Sequence, residues 1–172
     1  MPFTPFHFGV GAFAQSLTPR YFSFRAFVLS QVVIDCETAW NLYRGHEQLH
    51  TFFHTYLGAP VAMALTGALI AVYSGFASRC PGSWLVRELS DWGKPFEFKS
   101  SFSAILFGGW SHVFLDSVMH EDIRPLAPFS SGNPMLEIVS LEMLHLACVG
   151  GFAGAALIWG ARAIFRHFSR TR

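Results

Sequence analysis

The segment Trp110-Ser-His-Val-Phe-Leu-Asp-Ser-Val-Met-His120 places three residues that can bind a metal inside an apolar run. His112, Asp116 and His120 are four residues apart. If the segment is helical, each step of four advances the helix by about 400°, so the three side chains share one face. Two imidazoles around a carboxylate form half of a site for a divalent metal. The alternative is a polar stripe satisfied by neighbouring residues, but three such groups in one apolar segment favour a metal.

The composition is typical of a membrane protein. Of the 172 residues, 52% are hydrophobic and 13% are charged, whereas soluble domains carry about 25% charged residues. The length suits a single domain, and we predict one all-α integral membrane domain covering residues 1–172. A net charge of +1 gives no reason to expect a nucleic-acid partner. The expected partner is the lipid bilayer, with other membrane protein subunits as an open alternative.

Four apolar segments are candidates for crossing the membrane, and we predict that they form a four-helix bundle. The segments are residues 22–43, 56–76, 102–119 and 141–161. The second has 21 residues without a charge, which is long enough to cross a bilayer at about 1.5 Å per residue. Residues 1–19 have Pro5 at a favourable first helical position but are too short to span. They predict a short N-terminal helix that is interfacial or re-entrant.

The positively charged residues are distributed unevenly over this topology. Of the 12 lysine and arginine residues, only Arg44 and Arg124 fall on one side of the four predicted spans. The others flank the start of the first span, lie in the loop 78–100 or lie near the C-terminus. Cytoplasmic segments carry the excess of positive charge. We therefore predict that the long loop and the C-terminus are cytoplasmic, in what we expect to be a bacterial inner membrane.

Potential metal ligands gather near the non-cytoplasmic ends of the predicted helices, and His7 can join them if the N-terminal segment starts there. They are Asp35, Glu37, His46, His50, His54, His112, Asp116, His120, Glu137, Glu142 and His145. A site of nitrogen and oxygen ligands without sulfur favours zinc, with manganese or iron as alternatives. A surplus of ligands over four would allow two metals, which suits phosphoester hydrolysis.

Several carboxylates are candidates for roles beside the metal ligands. Glu37, Glu121 and Glu142 are candidates for a general base, an outer partner of a ligand or a further ligand. Glu142 and His145 have the Glu-x-x-His spacing used by carboxylate di-metal bundles. Hydrogen bonding at a helix terminus is the equally weighted alternative for these two residues.

Four places in the chain carry a resemblance to a known family. They are His7 after Thr4-Pro-Phe6, Val33-Ile-Asp-Cys-Glu37, His50-Thr-Phe-Phe-His-Thr55, and Gly109-Trp-Ser-His-Val-Phe-Leu-Asp116 followed by Pro128. The last is the most specific, because it resembles a Gly-x-x-Ser-His-x-x-x-Asp block. Gly132-Asn133 with Leu136-Glu137 adds to the match. In these features the chain resembles the YdjM-like membrane-bound metal-dependent hydrolases, which are related to zinc-dependent phospholipase C and its nuclease relatives.

The resemblance implies an all-helical membrane fold with a hydrolytic metal site formed by His7, Asp35, His54, His112 and Asp116. The chain departs from the family pattern at Glu37, which stands where the family has an Asp. It also has a shorter spacing between the two His of the His50–His54 pair, with no Arg-Gly between them.

Three functions are open at this point. The first is a membrane hydrolase acting on a phosphoester or lipid-linked substrate, with a metal-activated water and Glu37 as the catalytic base. The second is an accessory or structural subunit of a membrane complex that keeps the fold and the metal without turnover. The third is a haem-binding helical bundle using His54, His112 or His145 as axial ligands.

Overall fold

The regular structure of this protein is helical wherever the structure, a computed structural model, describes the chain, which is at residues 4–80 and 96–170. A 3₁₀ turn at Thr4–Phe6 precedes five helices: α1 Phe8–Leu17, α2 Phe24–Tyr43, α3 Ala59–Arg79, α4 Phe98–Met119 and α5 Leu141–Arg170. The predicted all-α class is confirmed for these residues. Arg87 and Lys94, which contribute to the predicted excess of positive charge on the cytoplasmic side, lie outside these residues.

Within residues 4–80 and 96–170, three helices are long and apolar enough to cross a membrane, namely α3, α4 and α5. They overlap the predicted spans 56–76, 102–119 and 141–161. The predicted span 22–43 coincides with α2, a helix of 20 residues, but its charged side chains Arg25, Asp35 and Glu37 make it less apolar than the other three. The fourth crossing, and with it the four-helix bundle, therefore stays a prediction.

Helix α4 packs closely against both α2 and α3 through two adjacent glycines. A Cβ atom at Gly108 would lie 2.1 Å from Ser30 Oγ on α2, and one at Gly109 would lie 2.3 Å from Met63 Cε on α3. Successive residues point about 100° apart around a helix, so the pair faces two neighbours at once. Since any side chain here would overlap its neighbour, α4 is the central helix of this packing.

Hydrogen bonds between chain segments show which helix ends lie together. Ser23 N–H, just before α2, donates to Ser100 O in the first turn of α4, so these two helices start at the same end. At the opposite end, Tyr56 N–H, before α3, donates to Pro125 O, after α4. Glu137 N–H, before α5, donates to Val118 O in the last turn of α4. The ends of α2 and α4 and the starts of α3 and α5 therefore lie at one end of the protein.

The short helix α1 packs mainly against α5. A Cβ atom at Gly9 would lie 1.9 Å from Cys148 O, and one at Gly151 would lie 2.6 Å from Gly9 O. Two helix backbones can approach this closely only where side chains are absent. Gly151 therefore allows α5 to make close contact with the N-terminal helix.

Replacing Gly9 with alanine should destabilise the fold. The new methyl group overlaps a backbone carbonyl that cannot rotate away, and overpacking of this kind costs about 1–3 kcal/mol. The free energy of unfolding, or the melting temperature in detergent, measures the loss. Gly150→Ala is the matched control, because no described atom lies within 4 Å of a Cβ at that position. Equal melting temperatures for the two variants would contradict the contact.

Candidate metal centre

Four residues from three parts of the chain bring one potential ligand atom each to within 4.8 Å of one another: Asp35, His54, His112 and Asp116. We call them the primary cluster. Asp35 lies on α2, His112 and Asp116 lie one turn apart on α4, and His54 lies in the loop before α3. The helix ends that meet here are those joined by the hydrogen bonds described above. The predicted pairing of His112 and Asp116 on one helical face is confirmed.

Four nitrogen–oxygen distances within the primary cluster are close to the edge lengths of a tetrahedral metal site. His112 Nε2 lies 3.1 Å from Asp116 Oδ2 and 3.3 Å from Asp35 Oδ1. His54 Nε2 lies 3.6 Å from Asp116 Oδ2 and 3.7 Å from Asp35 Oδ1. Zinc bonds of about 2.0–2.1 Å give a tetrahedron with edges of about 3.3–3.4 Å. The four side chains therefore surround a space of the right size for such an ion.

The nitrogens that face this space have no hydrogen-bond partner among the described residues. His54 Nε2 and His112 Nε2 are fully buried, and neither makes a hydrogen bond. Both lie near carboxylate oxygens, but the short distances are not accompanied by hydrogen-bond directionality. Buried polar atoms are normally paired. Lone pairs directed at a shared centre are what a bound cation requires, so the residues present fit a divalent metal.

A neutral glutamine fixes the orientation of His112. Gln31 Nε2 donates to Gly108 O at 2.8 Å, so its Oε1 faces the other way and accepts from His112 Nδ1 at 2.8 Å. With its proton on Nδ1, the imidazole keeps a lone pair on Nε2, toward the primary cluster. Outer partners of this kind set the tautomer and the ring orientation of metal-binding histidines.

The carboxylate of Glu37 fixes the orientation of His54. Glu37 accepts backbone N–H groups from Phe52 at 3.0 Å and from Phe53 at 2.8 Å. Its Oε2 also lies 3.5 Å from His54 Nδ1, on the side of the ring away from the primary cluster. Glu37 therefore holds both the loop and the imidazole that the loop carries.

His7 approaches the primary cluster from the N-terminal segment. It lies immediately before α1, is buried, and places its Nε2 3.3 Å from Asp116 Oδ1. Asp116 thus offers one oxygen to His54 and His112 and the other to His7. Burial lowers the pKa of His7 to about 4, against the opposing influence of Asp116. The imidazole is neutral near pH 7 and is available as a ligand.

The pKa of His54 is shifted in the opposite direction, upward. Burial opposes its protonation, but the nearby carboxylates of Asp35 and Glu37 outweigh this and raise its pKa. In the absence of a cation, a proton on His54 therefore offsets part of the carboxylate charge. The concentration of negative charge that produces this shift would equally attract a cation.

A cleft of about 400 Å³ opens beside the primary cluster. Its lining includes Asp35, Asp116 and His7. The Asp35 side chain is 27% exposed, whereas those of His54, His112 and Asp116 are at most 5% exposed. Asp35 is therefore the member of the primary cluster most open to solvent.

Two more of the predicted ligands, His50 and His120, form a second close group with Asp122. Helix α4 ends at Met119, and His120 has an extended backbone at φ −115° and ψ 124°. It therefore leaves the helical stripe of His112 and Asp116, and its ring packs 4.2 Å from that of His50, between centroids.

Glu137, Glu142 and His145 belong to neither group of closely spaced ligand atoms in the described part of the chain. Glu137 and Glu142 are exposed. His145 is half-buried, and its ring lies 4.7 Å from that of Phe6.

Two residues of this region were missed by the sequence reasoning. Gln31 lies four residues before Asp35 on the same face of α2, and a polar residue at that spacing in an apolar run is a usable signal. No comparable pattern of spacing in the sequence pointed to Asp122. Its partner His50 is 72 residues away in the chain, so only the fold brings the two together.

Comparisons of the chain with protein-family models, with curated proteins and with solved structures find no match. The resemblance to the YdjM-like family therefore stays a prediction from the motifs.

Replacing Gln31 with methionine should weaken metal binding by about 10- to 100-fold, the usual effect of losing an outer partner of a histidine ligand. The His112 Nδ1–H would lose its acceptor, so the ring would no longer be held in the binding tautomer. Competition for Zn²⁺ with a fluorescent chelator measures the affinity. Gln15→Met, the same change on α1, should leave it unaltered. Equal affinities for the two variants would exclude a positioning role for Gln31.

Proposed function

We propose that this protein is a membrane-bound metal-dependent hydrolase that acts on a phosphoester or lipid-linked substrate, as the resemblance to the YdjM-like family implies. The observation that carries the proposal is the convergence of two unpaired, buried imidazole nitrogens on two carboxylates, in the primary cluster. Two neutral imidazoles and two carboxylates have a net charge of −2, which favours a divalent cation. The absence of sulfur in the ligand set supports zinc, with manganese or iron as alternatives.

The residues divide into ligands and groups that hold them. His54, His112, Asp35 and Asp116 would bind the cation, and His7 would add a further nitrogen beside Asp116. When bound, such a cation supplies an activated water as a nucleophile near neutral pH. Asp35, which is exposed to the cleft, is placed to orient a water or a substrate oxygen.

Glu37 is better suited to positioning than to the role of catalytic base predicted above. Its oxygens already accept from Phe52, Phe53 and His54. Thr38 is better placed than Glu37 to contact a substrate, because it lines the cleft and its buried Oγ1 has no partner among the described residues. Its hydroxyl would donate to a substrate oxygen in the cleft.

The apolar surface of the helices supports a position within the bilayer. Large apolar side chains are exposed along α3 and α5, for example Leu65, Val72, Leu157 and Phe165. Surfaces of this kind face lipid in membrane proteins. With the C-terminal arginines on the cytoplasmic side, as the positive-inside rule favours, the cleft would open on the non-cytoplasmic side of a bacterial inner membrane.

Metal analysis of the detergent-purified protein beside His112→Ala tests the proposal. We expect wild type to retain zinc, manganese or iron and His112→Ala to lose it, because one of the ligands of the primary cluster is gone. His46→Ala is the matched control, since His46 is exposed and outside both groups of ligands. Full metal retention by His112→Ala would contradict the proposed centre.

Hydrolysis assays then separate catalysis from the alternatives. We expect wild type to cleave at least one member of a panel of phospholipids and nucleotides, and His112→Ala to lose at least 100-fold of that rate, since the metal-activated nucleophile supplies most of the acceleration. A metal-loaded protein without turnover on the panel would favour the accessory subunit. A Soret absorption band without zinc, manganese or iron outside a haem would favour the haem-binding bundle.

A further inference from the structure

We propose that His50, His120 and Asp122 form a second divalent-cation site that faces the same cleft as the primary cluster. We call these three residues the rim cluster. It contains two imidazoles and one carboxylate, each offering a ligand atom within 4.8 Å of the others. Its net charge with neutral imidazoles is −1, and its nitrogen and oxygen ligands suit the same ions as the primary cluster.

The carboxylate of the rim cluster is held in a fixed orientation. Asp122 Oδ2 accepts backbone N–H groups from Leu49 at 2.9 Å and from His50 at 3.0 Å. Gln48 Nε2 also donates to both His50 O and Asp122 O, each at 3.2 Å. These contacts tie the loop before α3 to the segment after α4. The two loops that carry the rim cluster are therefore held to each other by hydrogen bonds.

The two imidazoles have different surroundings, and both leave room for a cation. His50 is buried, and its Nδ1 lies 2.8 Å from Asp122 Oδ1, so a cation bound between them would take the place of the proton that the two atoms share. His120 is half-buried and lies against His50.

The rim cluster and the primary cluster are neighbours. The rings of His50 and His54 lie 4.7 Å apart, between centroids. All three residues of the rim cluster line the cleft, as do Asp35 and Asp116. A space of about 400 Å³ between two sets of ligands can admit an anionic group such as a phosphoryl group. Two cations on such a group would stabilise its charge during hydrolysis, an extension that rests on the proposed function.

The number of metal ions bound per chain tests the rim cluster. Detergent-purified, metal-free protein is dialysed against Zn²⁺ or Co²⁺, and the bound metal is measured together with the visible absorption of Co²⁺. We expect two ions per wild-type chain, one per chain for His120→Ala and for Asp122→Asn, and two for His46→Ala. His120→Ala is the main variant, because His120 is half-buried and outside the loop contacts of Asp122. Unchanged melting temperature of the metal-free variant confirms that it is folded.

Different outcomes distinguish this inference from the proposed function. One ion in wild type, kept by His120→Ala and lost by His112→Ala, overturns the rim cluster and leaves the primary cluster intact. Two ions in both wild type and His120→Ala also overturn it. One ion in wild type, kept by His112→Ala and lost by His120→Ala, supports the rim cluster and overturns the primary cluster on which the proposed function depends.

Discussion

The arrangement of the helices depends on one electrostatic constraint: buried imidazoles and carboxylates need a partner in an apolar interior. A buried polar group left unpaired costs about 1–3 kcal/mol, and more if it is charged. His54 Nε2 and His112 Nε2 make no hydrogen bond within the described residues, and His7 Nε2, also without one, lies 3.3 Å from Asp116 Oδ1. A shared ion would satisfy these three nitrogens together. The cluster is therefore costly as a structural device, and its cost is the physical reason to interpret it as a binding site.

Three imidazoles near the cleft each have one nitrogen beside a partner from another part of the chain. Gln31 places a neutral amide behind His112 and Glu37 a carboxylate behind His54, whereas Asp122 Oδ1 lies 2.8 Å from His50 Nδ1. The neutral partner is in the fully buried part of α2, where an extra charge would be hardest to accommodate. The two charged partners also accept backbone N–H groups of the loop before α3. The loop is thereby ordered by the same groups that orient its histidines.

How far the sequence could predict the site depends on how far apart its parts lie in the chain. His112 and Asp116 lie one helical turn apart, so a helical period was sufficient to pair them. The next limit on the prediction is the position of a helix end. His120 fits the same helical period, but α4 stops one residue earlier, and the His120 ring packs against His50 instead. The last limit is set by contacts between distant parts of the chain. Neither the contact of Gln31 with His112 nor that of Asp122 with His50 follows from local spacing, because the partners are 81 and 72 residues apart.

The fold was predictable to a similar depth. Uninterrupted apolar runs located α3, α4 and α5, whereas α2 carries the charges that the site needs and is correspondingly less apolar. The proposed metal site and insertion into a bilayer would place opposite demands on that one helix. A glycine in the last helix permits a close contact but does not identify the partner, since a small residue fits against many neighbours.

The attachment of α1 to α5 has a consequence for biogenesis. His7 precedes all five described helices in the chain, yet the helix that holds this segment in place is the last described one. During translation the segment around His7 must therefore wait, without its packing surface, until α5 has left the ribosome. The coordination shell would accordingly be completed after synthesis, and an ion captured earlier would be held by an incomplete set of ligands.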